Sequence, residues 1–333
     1  MTVDVHAHCI PVSLIEELER DGSRHGIEIV SRDGVRAARI GGRVETGPLR
    51  ADLADVNARI AAMDRAGVDM QVLSSWIDLT AYALPADTGA RYARMFNEML
   101  AATRDLHPDR FLALCTAPLQ SSAHAGAELH YAVEHLGMMG VEIATTIDGA
   151  ELDDPALDGF WGTAQELGCL VLVHPYHSLA GRNVSRYFLG NLVGNPAETT
   201  IAVAHLIFGG VLERFPALRI CVVHGGGFLA YQSGRLDRGY QASASLTATH
   251  LTRPPSEWLR RLYFDTVLHA PAMLRALVDL VGADHLVLGS DYPFEMGDPD
   301  PGRTVRAIPG LDDEERERIL RGNLDSLLAA VRR

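Results

Sequence analysis

The chain is 333 residues long and carries 43 acidic against 30 basic side chains, a net charge of −13 that nucleic acid and anionic membrane surfaces would repel. Its 47% hydrophobic and 22% charged residues are those of a globular protein, and no apolar run reaches the roughly 18 residues of a membrane span. The opening MTVDVHAHCIP has neither a basic nor a long apolar leader, and Cys9, Cys115, Cys169 and Cys221 lack CxxC spacing, so a cytoplasmic protein with buried free thiols is expected.

The first apolar run, Val3–Val5, leads straight into His6 and His8. Residues 10–50 then stand apart from the strand–helix alternation of the remaining chain. Within them IEIVSRDGVRAARIGG places an Asp33–Gly34 turn between two strand-like stretches, a β-hairpin signal. A helix-period pattern over Asp52–Ala66 precedes a second strand at Met70–Leu73, with Trp76 just beyond it. Gly89–Leu106 reads as helix, Phe111–Cys115 as strand, Ser121–Leu136 as helix and Gly140–Ile143 as the fourth strand. Leu170–Val173, the helical pattern Pro196–Phe215, Leu218–Val223, Leu262–Asp265 and Leu286–Gly289 complete the series. The acid-rich Asp312–Glu317 suits the start of the last helix, where negative charge favours the dipole. These strand–helix alternations predict a single α/β domain, a (β/α)8 TIM barrel with a small hairpin insertion after its first strand. A doubly wound sheet is the alternative. Coming after the first strand, the insertion is expected to overhang the C-terminal mouth, where loops build substrate pockets.

His6 and His8 are two positions apart, so on a strand their imidazoles share a face. His174 ends the run LVLVH, His224 ends ICVVH and Asp291 follows LVLGS. Each polar residue thus comes directly after a buried β-branched run, at the strand end where a TIM barrel carries its chemistry. The imidazoles of His6, His8, His174 and His224 and the carboxylate of Asp291, converging there, are candidate ligands of a divalent metal, with Zn, Fe and Mn all admissible. In Gly140–Val141–Glu142–Ile143–Ala144 the apolar Val141 and Ile143 share one face, so Glu142 is expected to face the barrel interior. A carboxylate there needs a partner, either a metal or a neighbouring Arg or His.

The stretches VDVHAH, LVHPYH, NPAETTIAV, VVHGGGFLAYQSGR and LGSDYPFEMGD span nearly the whole chain. With them the sequence resembles the amidohydrolase superfamily, nearest to its α-amino-β-carboxymuconate-ε-semialdehyde decarboxylase branch. The resemblance implies that His6, His8, His174 and Asp291 bind one metal and that His224 helps to activate water on it. It also implies that Arg235, which matches an arginine reaching into the neighbouring subunit's site, acts across a homodimer. Three positions depart from that branch. Glu142 replaces a glutamine, Asn191 stands where a tryptophan is found, and Arg43 and Arg50 miss the spacing of the arginine that holds a substrate carboxylate.

Glu142 points to a second metal, because a carboxylate on the fourth strand bridges two metals elsewhere in the superfamily. One or two metals per subunit are therefore expected. The main expectation is hydrolysis of an ester, thioester, lactone or amide of a small molecule by metal-activated water. Asp291 would take the proton and His224 would polarise the carbonyl. Nonoxidative decarboxylation is the alternative, and a binding protein without catalysis a remote third. Arg50, Trp76, His177, Asn191 and His269 are the candidates for substrate contact.

Overall fold

The computed structural model describes residues 1–176 and 182–328. After β1 (Val3–Cys9) come a helix at Val12–Asp21 and a small antiparallel sheet of β2 (Ile27–Arg32), β3 (Val35–Ile40) and β4 (Val44–Glu45). The chain then runs through β5 (Met70–Ser75), β6 (Phe111–Ala113), β7 (Gly140–Ala144), β8 (Leu170–His174), β9 (Arg219–Val222), β10 (Tyr263–Asp265) and β11 (Leu286–Val287). Helices between them include Val56–Ala66, Ala86–Asp105, Ser122–Glu134, Asp158–Leu167, Asn195–Phe208, Leu229–Ala242 and Pro271–Val281.

The barrel strands pair in parallel in two arcs, β1-β5-β6 and β7-β8-β9-β10-β11. Bridges join the arcs at both seams, Cys115 with Val141 and Ala7 with Tyr292. This is the TIM barrel the alternations predict. Leu170 and Leu172, Cys221 and Val223 alternate inward and pack with Val3, Val5, Leu324 and Leu327. The intervening Val171, Val173, Ile220 and Val222 pack outward with the helices. Against β5, the register of β1 shifts between Asp4 and Ala7. There the inward face passes from Val3 and Val5 to His6 and His8, as a bulge allows.

The insertion forms the expected hairpin. Ile27 pairs with Ile40 and Arg32 with Val35, leaving Asp33 and Gly34 as a two-residue turn with φ of 50° and 80°. It lies over the C-terminal mouth: Arg43 grips Asp148 beyond β7 at 2.7 and 2.9 Å, and Gly47 N–H donates to Asp78 beyond β5. All four cysteines are buried and free. Among the described residues no helix is long and apolar enough to cross a membrane.

Candidate metal centre

His6, His8, His174 and Asp291 bring one ligand atom each to within 4.8 Å of one another, all four side chains buried. The partner behind each ring sets its tautomer. His8 Nδ1 faces the Ser75 carbonyl at 3.0 Å, and His174 Nδ1 faces the Pro175 carbonyl at 2.8 Å. Carbonyls only accept, so both rings donate from Nδ1 and turn a lone pair on Nε2 toward the cluster. His6 does the same, with Nδ1 2.7 Å from Asp265 Oδ2.

The lone pairs then converge. His6 Nε2 and His8 Nε2 are 3.2 Å apart, and Asp291 Oδ1 stands 3.3 and 3.2 Å from them. His174 Nε2 is buried with no hydrogen-bond partner. Acceptors in this arrangement repel unless a cation sits among them. Ligand atoms about 2.1 Å from one ion at tetrahedral angles stand roughly 3.4 Å apart, so the spacing fits a divalent metal.

The electrostatics agree. Without a metal, protons on the ring nitrogens take the cation's place: burial alone would raise the Asp291 pKa, but the charge of His6 and hydrogen bonds from His224 and His8 hold it well below the carboxylate range. Burial and the neighbouring His8, His6 and His224 push His174 well below the imidazole range, so it stays neutral, the ligand form. Burial works to lower the His6 pKa as well, yet Asp291 and Asp265 bring it up to about 9. That excess of negative charge invites a cation.

Asp265, at the end of β10, is a residue that sequence reasoning missed. Its Oδ2 takes the His6 proton donor, and its Oδ1 accepts from the N–H of Gly225 at 2.8 Å. Burial raises its pKa, and the His6 hydrogen bond more than reverses this. Asp4 is a second such residue. It accepts from Ser290 N and Oγ, from Gln71 Nε2 and from His6 N. Buried Arg59 fixes Gln71 through its Oε1 at 3.0 Å, and its guanidinium lies over the Tyr292 ring at 4.7 Å.

His224 stands next to the four ligands. Its Nε2 is 3.5 Å from Asp291 Oδ2 and its Nδ1 is buried without a partner. His224 and Asp291 both take left-handed backbone, φ 54° and 60°, which turns their side chains into the site at the strand ends. Glu142 faces inward as expected and stands outside the cluster of His6, His8, His174 and Asp291. Its Oε1 lies 3.6 Å from His8 Nδ1, on the side of the ring opposite the cluster, and Ser75 Oγ donates to Oε2 at 3.0 Å. Its Oε1 is buried without a hydrogen-bond partner, and burial raises the pKa of this carboxyl.

A cavity of about 200 Å³ opens beside the cluster, walled by Asp291, His224, Asn191, His269, Phe228 and Met296 among others. A second compartment, sharing Asn191 and Met296 with the first, is lined by Arg50, Trp76, Phe188 and Phe294. Asn191, His269, Trp76 and Arg50 thus reach the cavities. Arg43 does not, being exposed and paired with Asp148. Arg235 is exposed on the helix at Leu229–Ala242 and lines neither compartment. His177 lies outside the described residues.

The sequence model of the family described as amidohydrolase matches residues 3–323. The 2-amino-3-carboxymuconate-6-semialdehyde decarboxylase of Dictyostelium discoideum is 30% identical over 323 residues, covering 97% of this chain and 90% of that protein. Among solved structures, 5-carboxyvanillate decarboxylase from Sphingomonas paucimobilis matches with a TM-score of 0.84 at 23% identity over 98% of both chains. A dihydroxybenzoic acid decarboxylase from Polaromonas, with bound manganese and 2-nitroresorcinol, matches with a TM-score of 0.79 at 21% identity, covering 98% of this chain and 96% of that one. The expectation of acyl hydrolysis is overturned by these likenesses. The activities named are removals of a carboxyl group, and Glu142, the residue that favoured hydrolysis, stands behind His8.

Proposed function

This chain belongs to the amidohydrolase family, and from that premise we propose that it is a metal-dependent, nonoxidative decarboxylase of a small aromatic or conjugated carboxylic acid. The observation that carries the proposal is the placement of Asp291. Its Oδ1 faces the ligand cluster, its Oδ2 faces His224 Nε2, and the residue forms part of the cavity wall. One carboxylate therefore links the metal site, a proton carrier and the substrate.

His6, His8, His174 and Asp291 would hold one divalent ion, with Mn, Zn and Fe the candidates. Bound there, the ion supplies Lewis acidity toward substrate oxygens. His224 Nε2 and Asp291 Oδ2 hold a proton between them, and Asp291 passes it to the carbon that bears the substrate carboxylate. The bond from that carbon to the carboxylate then breaks. Its electron pair restores the unsaturated system and carbon dioxide leaves. One proton is gained by carbon and one carboxylate is lost, so no oxidant is needed, and His224 recovers its proton from water. The apolar side chains of Leu192, Phe228, Val267, Leu268 and Met296 line the same cavity. They disfavour the charged carboxylate more than the neutral product. Asn191, His269 and Trp76 are proposed to orient the substrate, Arg50 to border its outer end with a guanidinium already paired to Asp52, and Arg235 to act on a partner subunit's site in a homodimer.

The test is turnover in D2O by protein loaded with Mn, Zn or Fe. A set of 2-hydroxybenzoates and dienoic acids is offered beside aryl esters and lactones. The expected result is carbon dioxide release with one deuteron on the carbon that lost it. Cleavage of esters or lactones without carbon dioxide would reject the proposal.

A further inference from the structure

The outer compartment carries chemistry that the proton relay does not use. It measures about 530 Å³ and shares Asn191 and Met296 with the inner cavity, so one molecule can span both. An aromatic wall connects them. The Phe294 ring lies 5.2 Å from the ring of the ligand His8 and 6.5 Å from that of Trp76. Such ring faces carry negative quadrupole density, which suits flat apolar groups and repels anions.

Among the described residues lining this compartment, Arg50 is the sole cation, and its charge is already engaged. Nε and Nη2 donate to the two oxygens of Asp52 at 3.1 and 2.7 Å, and Nη1 faces Glu295 at 3.6 Å. Nη2 also reaches the Pro293 carbonyl at 3.4 Å. The paired fork is the strong form of a surface ion pair. One positive charge thus meets two negative ones. A second carboxylate on the substrate would have to displace Asp52 or join a crowd of like charges.

We propose that this compartment selects substrates bearing a single carboxylate, accepting flat uncharged substituents beyond the reacting carbon and rejecting a second carboxylate there. Asp52 and Glu295 are the specificity determinants, because they occupy the guanidinium that a diacid would need. The inference rests on the decarboxylase reading for the inner cavity, while its test reads binding alone.

Calorimetric titration of the manganese-loaded protein with three probes decides it: 2-hydroxybenzoate carrying a methyl ester at position 3, the corresponding 3-carboxylate, and 2-hydroxybenzoate itself. The wild type is expected to bind the ester at least about tenfold more tightly than the diacid, the scale of an unfavourable like-charge contact. In the Asp52→Asn/Glu295→Gln variant the diacid should gain about tenfold while 2-hydroxybenzoate stays within about twofold. Both side chains are partly or largely exposed, at 38% and 82%, so the fold should tolerate the exchange. Tighter or equal binding of the diacid by wild type, or an unchanged gap in the variant, would overturn the proposal. If no probe releases carbon dioxide yet the discrimination persists, it is the reaction that is wrong and the selectivity that stands.

Discussion

At the scale of single residues, Asp265 ties two parts of the site together. Its two oxygens hold the His6 ring and the Gly225 N–H, so it fixes a ligand's tautomer and also the loop bearing His224. Carboxylates behind metal-bound histidines typically contribute about 10–100-fold in metal affinity. The Asp265→Asn variant should therefore keep its circular dichroism and lose metal affinity by roughly that factor, measured by competition with a chelator. Unchanged affinity would mean that Asp265 serves packing alone. The sequence announced His6, His8, His174 and Asp291 because each follows an apolar strand run at its catalytic end. Asp265 also ends such a run, in YFD, and that was the available signal. Its partner lies 259 positions away, however, and no spacing joins them. For Glu142, alternation gave the face correctly. Which side of the His8 ring it meets depends on a rotamer that no periodicity encodes.

At the scale of elements, the ligands depend on how strand ends are pinned. Asp4 receives hydrogen bonds from β1, from β5 through Gln71, and from Ser290 just before Asp291. It therefore braces the turn at which Asp291 adopts φ 60°. An amide at this position keeps the shape but turns a donor toward the Gln71 Nε2 donor or toward the N–H groups of His6 and Ser290. A buried donor left unsatisfied costs about 1–3 kcal/mol. Asp4→Asn should lower the stability of the metal-free protein by that amount in denaturant titration, and slow turnover as Asp291 loses its orientation. A change below about 0.5 kcal/mol would show that the network is dispensable. The hairpin was legible because Asp33–Gly34 supplies the positive φ its turn requires. The helical pattern Pro196–Phe215 instead divides, ending at Phe208 and resuming at Val211, because Gly210 takes φ 72°. The helix at Val12–Asp21 was hidden within the insertion, although Leu14 and Leu18 are spaced to bury one face. The β1 register shift has no marker in the sequence, since both faces of the strand are buried.

At the scale of the whole molecule, the surface near the cavity mouth is unusually apolar for so acidic a chain. Tyr187, Phe188, Leu192, Val193, Phe228 and Tyr231 are all exposed by 39% or more, and Phe188, Leu192 and Phe228 also line the substrate compartments. Tyr231, at 89%, lies one helical turn before Arg235 on the helix at Leu229–Ala242. Exposed apolar side chains at a cavity mouth favour association with a second copy. Such association would also carry Arg235, exposed and clear of its own cavity, toward another subunit. A homodimer in which Arg235 completes the partner subunit's site makes a sharp prediction. Arg235→Ala and His174→Ala should each be inactive as homodimers, one lacking the cation and the other a ligand. Mixed under conditions that let subunits exchange, they form heterodimers in which one of the two sites has both residues intact. At equal amounts half the dimers are mixed, so about a quarter of all sites, and of the wild-type rate, should return. Sedimentation of the wild type should report a dimer at the same concentration. Exchange demonstrated by differently labelled subunits, with no activity recovered, would confine Arg235 to its own chain and leave the apolar side chains to serve the cavity alone.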